Sequence, residues 1–339
     1  MSQRRPTSFD IAELAGVSQP TVSRALSGHH SVSAETRARV LAAAEKLHYT
    51  VDKNASSLRR RQSRTLALLF FEDPTPDDTL INPFYLSMLG SMVRACGTAG
   101  YDLLISFQQM SADWHVDFED SRKADGLILL GYGDYLATQP RLQQLLDQGT
   151  HFVRWGAARE GQLGITVGSD NERGGRLAAE HLIAQGRTRL AFLGTADEAS
   201  PEFLERWVGF RQAQRDAGLT VDPRLTVDAR PSEESGRAAA LTLLASGIAF
   251  DGIFAASDLA AIGAMRALVE AGRSVPGEVS VVGFDDMAAA RLADPPLTTI
   301  AQDPRVAGAR LVDTLIAAVE GRTPPSVLLP IRLIVRASS

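Results

Sequence analysis

Seven consecutive residues near the start of the chain, SQPTVSR from Ser18 to Arg24, place one amide, three hydroxyls and one guanidinium within two helical turns. These groups suit a polyanion whose edges can be read. A Gln19 amide pairs with an adenine edge, an Arg24 fork addresses guanine, and Thr21 reaches a phosphate or a thymine methyl. Ser18 and Ser23, with Thr7 and Ser33 nearby, are short donors suited to positioning phosphates. Pro20 is the exception in the run. It fits a first helical turn, where a missing N–H costs nothing, and it offers a base only apolar contact.

Catalytic and metal-binding patterns are not evident elsewhere. GYGDYL (131–136) is a poor G-x-G fragment and no phosphate-binding P-loop occurs. The six His residues are scattered without an HExxH or CxxC partner, and Glu180-His181 reads as part of a helix. Cys96 is the single cysteine, so a disulfide framework is impossible within the chain and a reducing compartment fits. No apolar run approaches a membrane span, and MSQRRPTSFDIAELAG lacks the apolar stretch and cleavage site of a secretory signal. The expectation is a cytoplasmic protein that is not an enzyme and needs no metal or cofactor.

The elements that would position the polar run are short helices. Phe9, Ile11, Ala12, Leu14 and Ala15 make an apolar face that Gly16 stops, and Ser18 caps a second helix with Val22, Ala25 and Leu26 inward. Ser33 opens a third, with Val40, Leu41, Ala44 and Leu47 as its buried stripe. Two helices joined by a tight Gly-containing turn form a helix-turn-helix. Charge agrees with that reading: residues 1–64 hold 11 Lys/Arg against 5 Asp/Glu, whereas the whole chain of 339 residues carries −5. A basic head on an acidic body suits a small polyanion-binding module joined to something else; solubilising decoration is the other reading of a basic start.

From residue 65 the texture becomes β-rich runs alternating with helical stretches: 65–71, 101–107, 125–131, 151–157, 189–194, 224–230, 251–257 and 279–285. Continuous apolar strands with intervening helices imply parallel sheets covered on both faces. Eight strands divide most economically into two lobes with a ligand cleft at the strand carboxyl ends.

Several stretches, in order and spacing, carry a resemblance. DIAELAGVSQPTVSRALSG, VSAETRARVLAAAEKLHY, ASSLR, NPFY, RWVGF, ASDLAAIGAMRAL, VSVVGFDD and PPLTTIAQD together resemble the lactose-repressor (LacI/GalR) family of bacterial transcription regulators, from about Thr7 to Arg336. The resemblance implies an N-terminal all-α helix-turn-helix DNA-binding domain (1–50) and a hinge helix with linker (51–64). It implies a two-lobed α/β sensor like a periplasmic binding protein, with a first lobe of 65–168 and 297–325 and a second lobe of 169–296 and 326–339.

In such proteins the second helix enters the major groove, which makes Gln19 and Pro20 the base readers, with Thr7, Ser18, Thr21, Ser23, Arg24, Ser33 and Tyr49 supporting them. Ala55 and Leu58 fall in the hinge, where paired leucines wedge into the minor groove; an interdomain leucine packed on the body is the alternative for Leu58. Val51 and Asp52 stand where Pro-Asn is common in the family, and His48 where Gly is, which removes a rigid start to the hinge. The same carry-over gives effector-binding positions Asn82, Phe84, Tyr132, Trp155, Arg206, Ser257, Asp258, Asp285 and Gln302. Arg and Asp exchange hydrogen bonds with adjacent hydroxyls and Trp offers a flat face to a pyranose, so a polyol fits. Without the resemblance, Asp285 reads as a turn residue and Trp155 as a core aromatic.

The lengthened loop FFEDPTPDDTLINPFY and the extra aromatics favour a disaccharide or larger saccharide, such as a maltose-like α-glucoside; a solvated loop that never meets ligand is the other reading. The implied partners are operator DNA, a small saccharide effector and a second copy of the chain, with no membrane. The implied mechanism is a dimer on a pseudo-palindrome, released when ligand closes the cleft. A corepressor-dependent regulator sensing a purine or other metabolite is the alternative, followed by a sugar-binding protein without a DNA role. The helices around Phe84–Gly97 and Val306–Val319 are the expected interface, and the ending RLIVRASS carries no tetramerising heptad helix.

Overall fold

The structure is a computed structural model that describes residues 6–26, 29–47, 49, 62–71, 81–108, 111–131 and 133–339. The chain divides into two compact units, Met1–Ser63 and Arg64–Ser339.

Among its described residues the first unit holds three helices, α1 (Ser8–Ala15), α2 (Gln19–Leu26) and α3 (Ala34–Lys46). Thr7 and Asp10 close a capping box on α1, with the Asp10 carboxylate accepting from the Thr7 N–H at 2.6 Å, and Gly16 ends the helix at φ 62°. Ser33 caps α3 by accepting from the Thr36 N–H at 3.2 Å. The core is built from Ile11, Ala12, Ala15, Val22, Ala25, Val40, Ala43 and Ala44. It is narrower than the sequence suggests. Phe9, Leu14 and Leu41 are 71%, 45% and 50% exposed, because the buried arcs of α1 and α3 are centred on residues 11, 12 and 15 and on 40, 43 and 44. Small Ala side chains let three short helices approach closely, and that leaves no room inward for the larger neighbours.

The second unit runs β1 (Thr65–Phe70), α4 (Pro83–Ala99), β2 (Asp102–Phe107), a π-helical turn (His115–Asp120), β3 (Leu127–Leu130), α5 (Tyr135–Asp147), β4 (Phe152–Trp155) and β5 (Ile165–Ser169). It continues with α6 (Asn171–Ala184), β6 (Leu190–Leu193), α7 (Pro201–Asp216), β7 (Thr226–Val227), α8 (Glu233–Ala245), β8 (Gly252–Ala255), α9 (Asp258–Glu270) and β9 (Ser280–Asp285). The last elements are α10 (Ala288–Leu292), β10 (Thr298–Ala301), α11 (Pro304–Val319), β11 (Val327–Leu329) and β12 (Arg332–Ile334).

Two six-stranded sheets result, ordered β11-β5-β4-β3-β1-β2 and β12-β10-β9-β8-β6-β7. The recorded pairings are parallel except for β10 with β12. Each sheet is packed on both faces, the first between the cores of Met88, Met92 and Leu311 and of Trp114, Phe118 and Leu142. The eight anticipated runs all contain strands, although 224–230 holds only the two-residue β7. The four strands β5 and β10 to β12 complete the sheets.

These strands correct the lobe boundaries. Because β10 hydrogen-bonds to β9, the second lobe extends to Ala301 rather than ending at 296. Because β11 pairs with β5, residues 327–329 belong to the first lobe rather than the second. The chain therefore crosses between lobes at Asp170, at 302–303 and at 330–331. On the first lobe α4 lies against α11, where Gly308 brings the two backbones together: a Cβ there would stand 2.6 Å from the Met88 carbonyl oxygen. The outward sides of these helices leave Leu86, Val93 and Val306 exposed.

Candidate functional site

In the helical unit, α2 buries Val22 and Ala25 and turns its polar residues outward. Ser18, Pro20 and Arg24 are exposed, and Gln19, Thr21 and Ser23 are half-buried. Two contacts order this face before any ligand arrives. The Gln19 amide donates to the Ser8 hydroxyl at 3.2 Å, and the Ser18 and Thr21 hydroxyls lie 2.8 Å apart. Thr7 is committed to the capping box, so its backbone and hydroxyl act first in building α1. Ser33 likewise caps α3, and Tyr49 packs partly against the three-helix core. Ala55 and Leu58 lie outside the described residues.

In the sensor, the carboxyl ends of both sheets face a cavity of about 450 Å³. Asn82, Phe84, Trp155, Arg206, Ser257, Asp285 and Gln302, seven of the anticipated positions, line it together. Asn82 and Ser257 do so while capping α4 and α9, accepting from the Phe84 and Ala260 N–H groups. Trp155, at the end of β4, is both things at once: it is buried with Phe84 at a ring separation of 5.8 Å, and it forms part of the cleft wall. Tyr132 lies outside the described residues.

Asp258 corrects the expectation. It does not reach the cavity, because it is fully buried at the first turn of α9. Its carboxylate accepts from the Thr299 hydroxyl at 2.5 Å and from the Met287 N–H at 2.7 Å. Burial, reinforced by the nearby Asp285 charge, holds its carboxyl well above the usual range. Its role is to join α9, β10 and the turn after β9.

Cavity residues that the sequence reading did not name include Phe71, Tyr85, Asp134, Glu202, Phe203 and Arg230. Most follow a strand or open a helix, so the rule that ligands bind at strand carboxyl ends was the signal available. Phe71 and Tyr85 approach the chain after β3 closely: a Cβ on Gly131, whose φ is 74°, would stand 2.9 Å from the Tyr85 ring and 3.2 Å from Phe71. Five aromatic side chains, Phe71, Phe84, Tyr85, Trp155 and Phe203, thus contribute to the walls.

The charged centre of the cavity is Arg206 and Asp285. Arg206 is 5% exposed, donates through Nε to the Asn171 Oδ1 at 2.9 Å and through Nη1 to the Ala256 carbonyl, and lies 3.6 Å from the Phe284 ring centroid. Burial lowers its pKa and the Asp285 charge opposes that. Asp285 ends β9 at φ 120° and accepts from the Gln302 amide at 2.6 Å. Burial pushes its carboxyl up to about 7, against the pull of Arg206 and of the Gln302 hydrogen bond. The Gln302 Oε1 is buried without a partner, which gives the cavity an acceptor for a ligand hydroxyl. The lobes also meet beside the cavity, where Arg159 pairs with Glu198 at 2.6 Å and the Tyr135 N–H donates to the Ala199 carbonyl at 2.8 Å.

Among the described residues, no cluster of His, Cys, Asp and Glu could hold a metal ion and no helix is long and apolar enough to cross a membrane. The cavity is instead a set of hydroxyl-matching groups between aromatic walls.

Residues 9–52 match the bacterial regulatory proteins of the lacI family, and residues 179–339 match a periplasmic binding protein-like domain. The chain is 33% identical to the HTH-type transcriptional regulator CelR of Thermobifida fusca, over 99% of both proteins. Among solved structures it is similar to a complex of a transcriptional regulator CelR with cellobiose (31% identity, 99% of this chain and 100% of that one, TM-score 0.73). It is also similar to the lac repressor dimer bound to operator and the anti-inducer ONPF (27% identity, 99% of both chains, TM-score 0.83).

Proposed function

Because the chain belongs to the lacI family of bacterial regulatory proteins, we propose that it is a dimeric, sequence-specific transcriptional repressor of a carbohydrate-utilisation operon, released from a pseudo-palindromic operator by a disaccharide. The observation that carries the effector half is the convergence of Arg206, Asp285, Gln302 and five aromatic side chains on one cavity. Its volume of about 450 Å³ lies within the range of roughly 300–1,000 Å³ usual for small-molecule sites.

The chemistry follows from these groups. Arg206 donates to ring hydroxyl oxygens, while Asp285 and the Gln302 Oε1 accept from the same or adjacent hydroxyls. Trp155 and Phe84, side by side on the first-lobe wall, offer apolar surface to one C–H face of a sugar ring. One pyranose has two faces, and five aromatic side chains, four from the first lobe and Phe203 from the second, offer more apolar surface than one ring needs, which supports a ligand of two rings; cellobiose and maltose are the first probes. Polar groups come from both lobes and from the 302–303 crossover, so a bound sugar favours one relative setting of the lobes. A difference in affinity for two settings is what couples sugar to operator. On the DNA side, α2 offers Gln19, Thr21, Ser23 and Arg24 to base edges and phosphates, and Pro20 contributes apolar contact alone.

The test is a thermal-shift screen over mono- and disaccharides with the full chain. A raised transition with a disaccharide, larger than with its monosaccharide, supports the proposal; no shift with any sugar overturns it.

A further inference from the structure

The guanidinium at the centre of the cavity is aimed by an amide. Arg206 makes no ion pair within contact distance among the described residues, and its Nε–H is taken by the Asn171 Oδ1 at 2.9 Å. Asn171 is 2% exposed and uses both of its donors: its Nδ2 donates to the Ser169 carbonyl at 3.1 Å and to the Glu205 Oε2 at 3.2 Å. Ser169 is the last residue of β5 in the first lobe, and Asn171 is the first residue of α6 in the second, so this amide spans the first crossover. The main chain of Arg206 is held by the same helix. A Cβ on Gly175 of α6 would stand 1.8 Å from the Arg206 carbonyl oxygen, so the two backbones touch. Asp285 shows the same arrangement at the second crossover, where Gln302 holds it.

We propose that Asn171 is a positioning residue, which fixes the Arg206 guanidinium toward the cleft and ties it to the first-lobe strand end, so that occupancy of the cleft is felt at the crossover. The proposal rests on the reading of the cavity as an effector site. Two separate jobs follow from the two ends of the amide. Oδ1 orients Arg206, which governs affinity for the effector. Nδ2 links that orientation to Ser169, which governs how far binding changes the lobe setting and hence operator affinity.

Two substitutions separate these jobs. Asn171→Asp keeps an acceptor for the Arg206 Nε–H but loses both donors, and Asn171→Leu loses all three hydrogen bonds at similar volume. With the full-length protein, three quantities are read: the exchange protection of the Arg206 Nε–H by NMR on ¹⁵N-arginine-labelled protein, assigned with Arg206→Lys; calorimetric affinity for cellobiose and for maltose; and the fold-change in operator affinity at a saturating level of whichever sugar binds. Asn171→Leu should lose the protected signal and bind sugar roughly tenfold to a hundredfold more weakly. Asn171→Asp should keep the signal and bind within about threefold, yet show a fold-change in operator affinity near one, which a merely structural role would not produce. Equal sugar affinity and equal operator response in parent and both variants would overturn the proposal. If the parent binds neither sugar, the effector reading fails, and the NMR signal alone decides the role of Asn171: its loss in Asn171→Leu supports the proposal and its persistence overturns it.

Discussion

Replacing Asp285 with Asn should stabilise the protein and weaken its sugar binding in the same step. Asp285 is 7% exposed, and burial raises its carboxyl to about 7, well above the usual value of 3.8. Below pH 4 the folded and unfolded chains both hold the proton. Between about pH 4 and about pH 7 the folded chain keeps it while the unfolded chain has lost it, so this contribution to stability falls as pH rises through the folded value. At roughly 1.4 kcal/mol per pH step, the loss sums to about 4 kcal/mol by pH 8, an upper bound because the fold relaxes around the charge. Asn has the same shape, tolerates the positive φ of 120° better than most residues, and still accepts from the Gln302 amide. Asp285→Asn should therefore match the parent only near pH 4 and below, lead it increasingly from pH 5 upward, and melt roughly 5–10 °C higher near pH 8. Near pH 8, where the parent carboxylate is ionised, affinity for the effector should fall roughly tenfold to a hundredfold, because a charged acceptor is lost. Glu205, also pushed up to about 7 by burial, titrates in both proteins, so the difference between their melting curves is the quantity to measure. A variant that melts lower than the parent near pH 8, or that shows the same pH slope, would refute the argument.

Packing and DNA recognition give three more expectations. A Cβ on Gly209 would stand 1.8 Å from the Glu172 carbonyl oxygen, so Gly209→Ala should prise α7 from α6 and cost about 3 kcal/mol in urea unfolding; an unchanged midpoint would contradict that packing. Gln19→Ala should weaken binding to the best operator by about 1–3 kcal/mol while leaving the salt dependence unaltered, measured by fluorescence anisotropy. Leu58→Ala should weaken operator binding with no change in the melting of the sensor, and unaltered affinity would remove the minor-groove wedge.

The sequence was most legible where local patterning decides the outcome. The helix stop at Gly16, the helix start at Ser33 and the apolar runs of the inner strands are local, and they appear where expected, whereas the capping role of Thr7 was not read from the sequence. Strands β10, β11 and β12 have three or four residues each and exist because of partners far away in the chain, as when Val327 lies beside Val167. No periodicity within them could reveal that, and the lobe boundaries drawn from the sequence moved for the same reason. Apolar character alone also misplaced Phe9, Leu14 and Leu41, which the tight Ala-rich core turns outward. At the cleft, residues carried by family position converge because strand ends do. Asp258 departs because Thr299 and the Met287 N–H capture its carboxylate. Asn171 was not legible in the sequence, since its three partners come from β5 and α7.

On the proposed function, sugar in the cleft releases the protein from DNA. The direct measurement is operator binding by fluorescence anisotropy, titrated with cellobiose and with maltose in parallel with Asp285→Asn. One disaccharide should lower the operator affinity of the parent roughly tenfold or more, and the titration of the variant should shift to higher sugar concentration. Operator affinity that no saccharide changes, in a protein that binds the sugar, would contradict it.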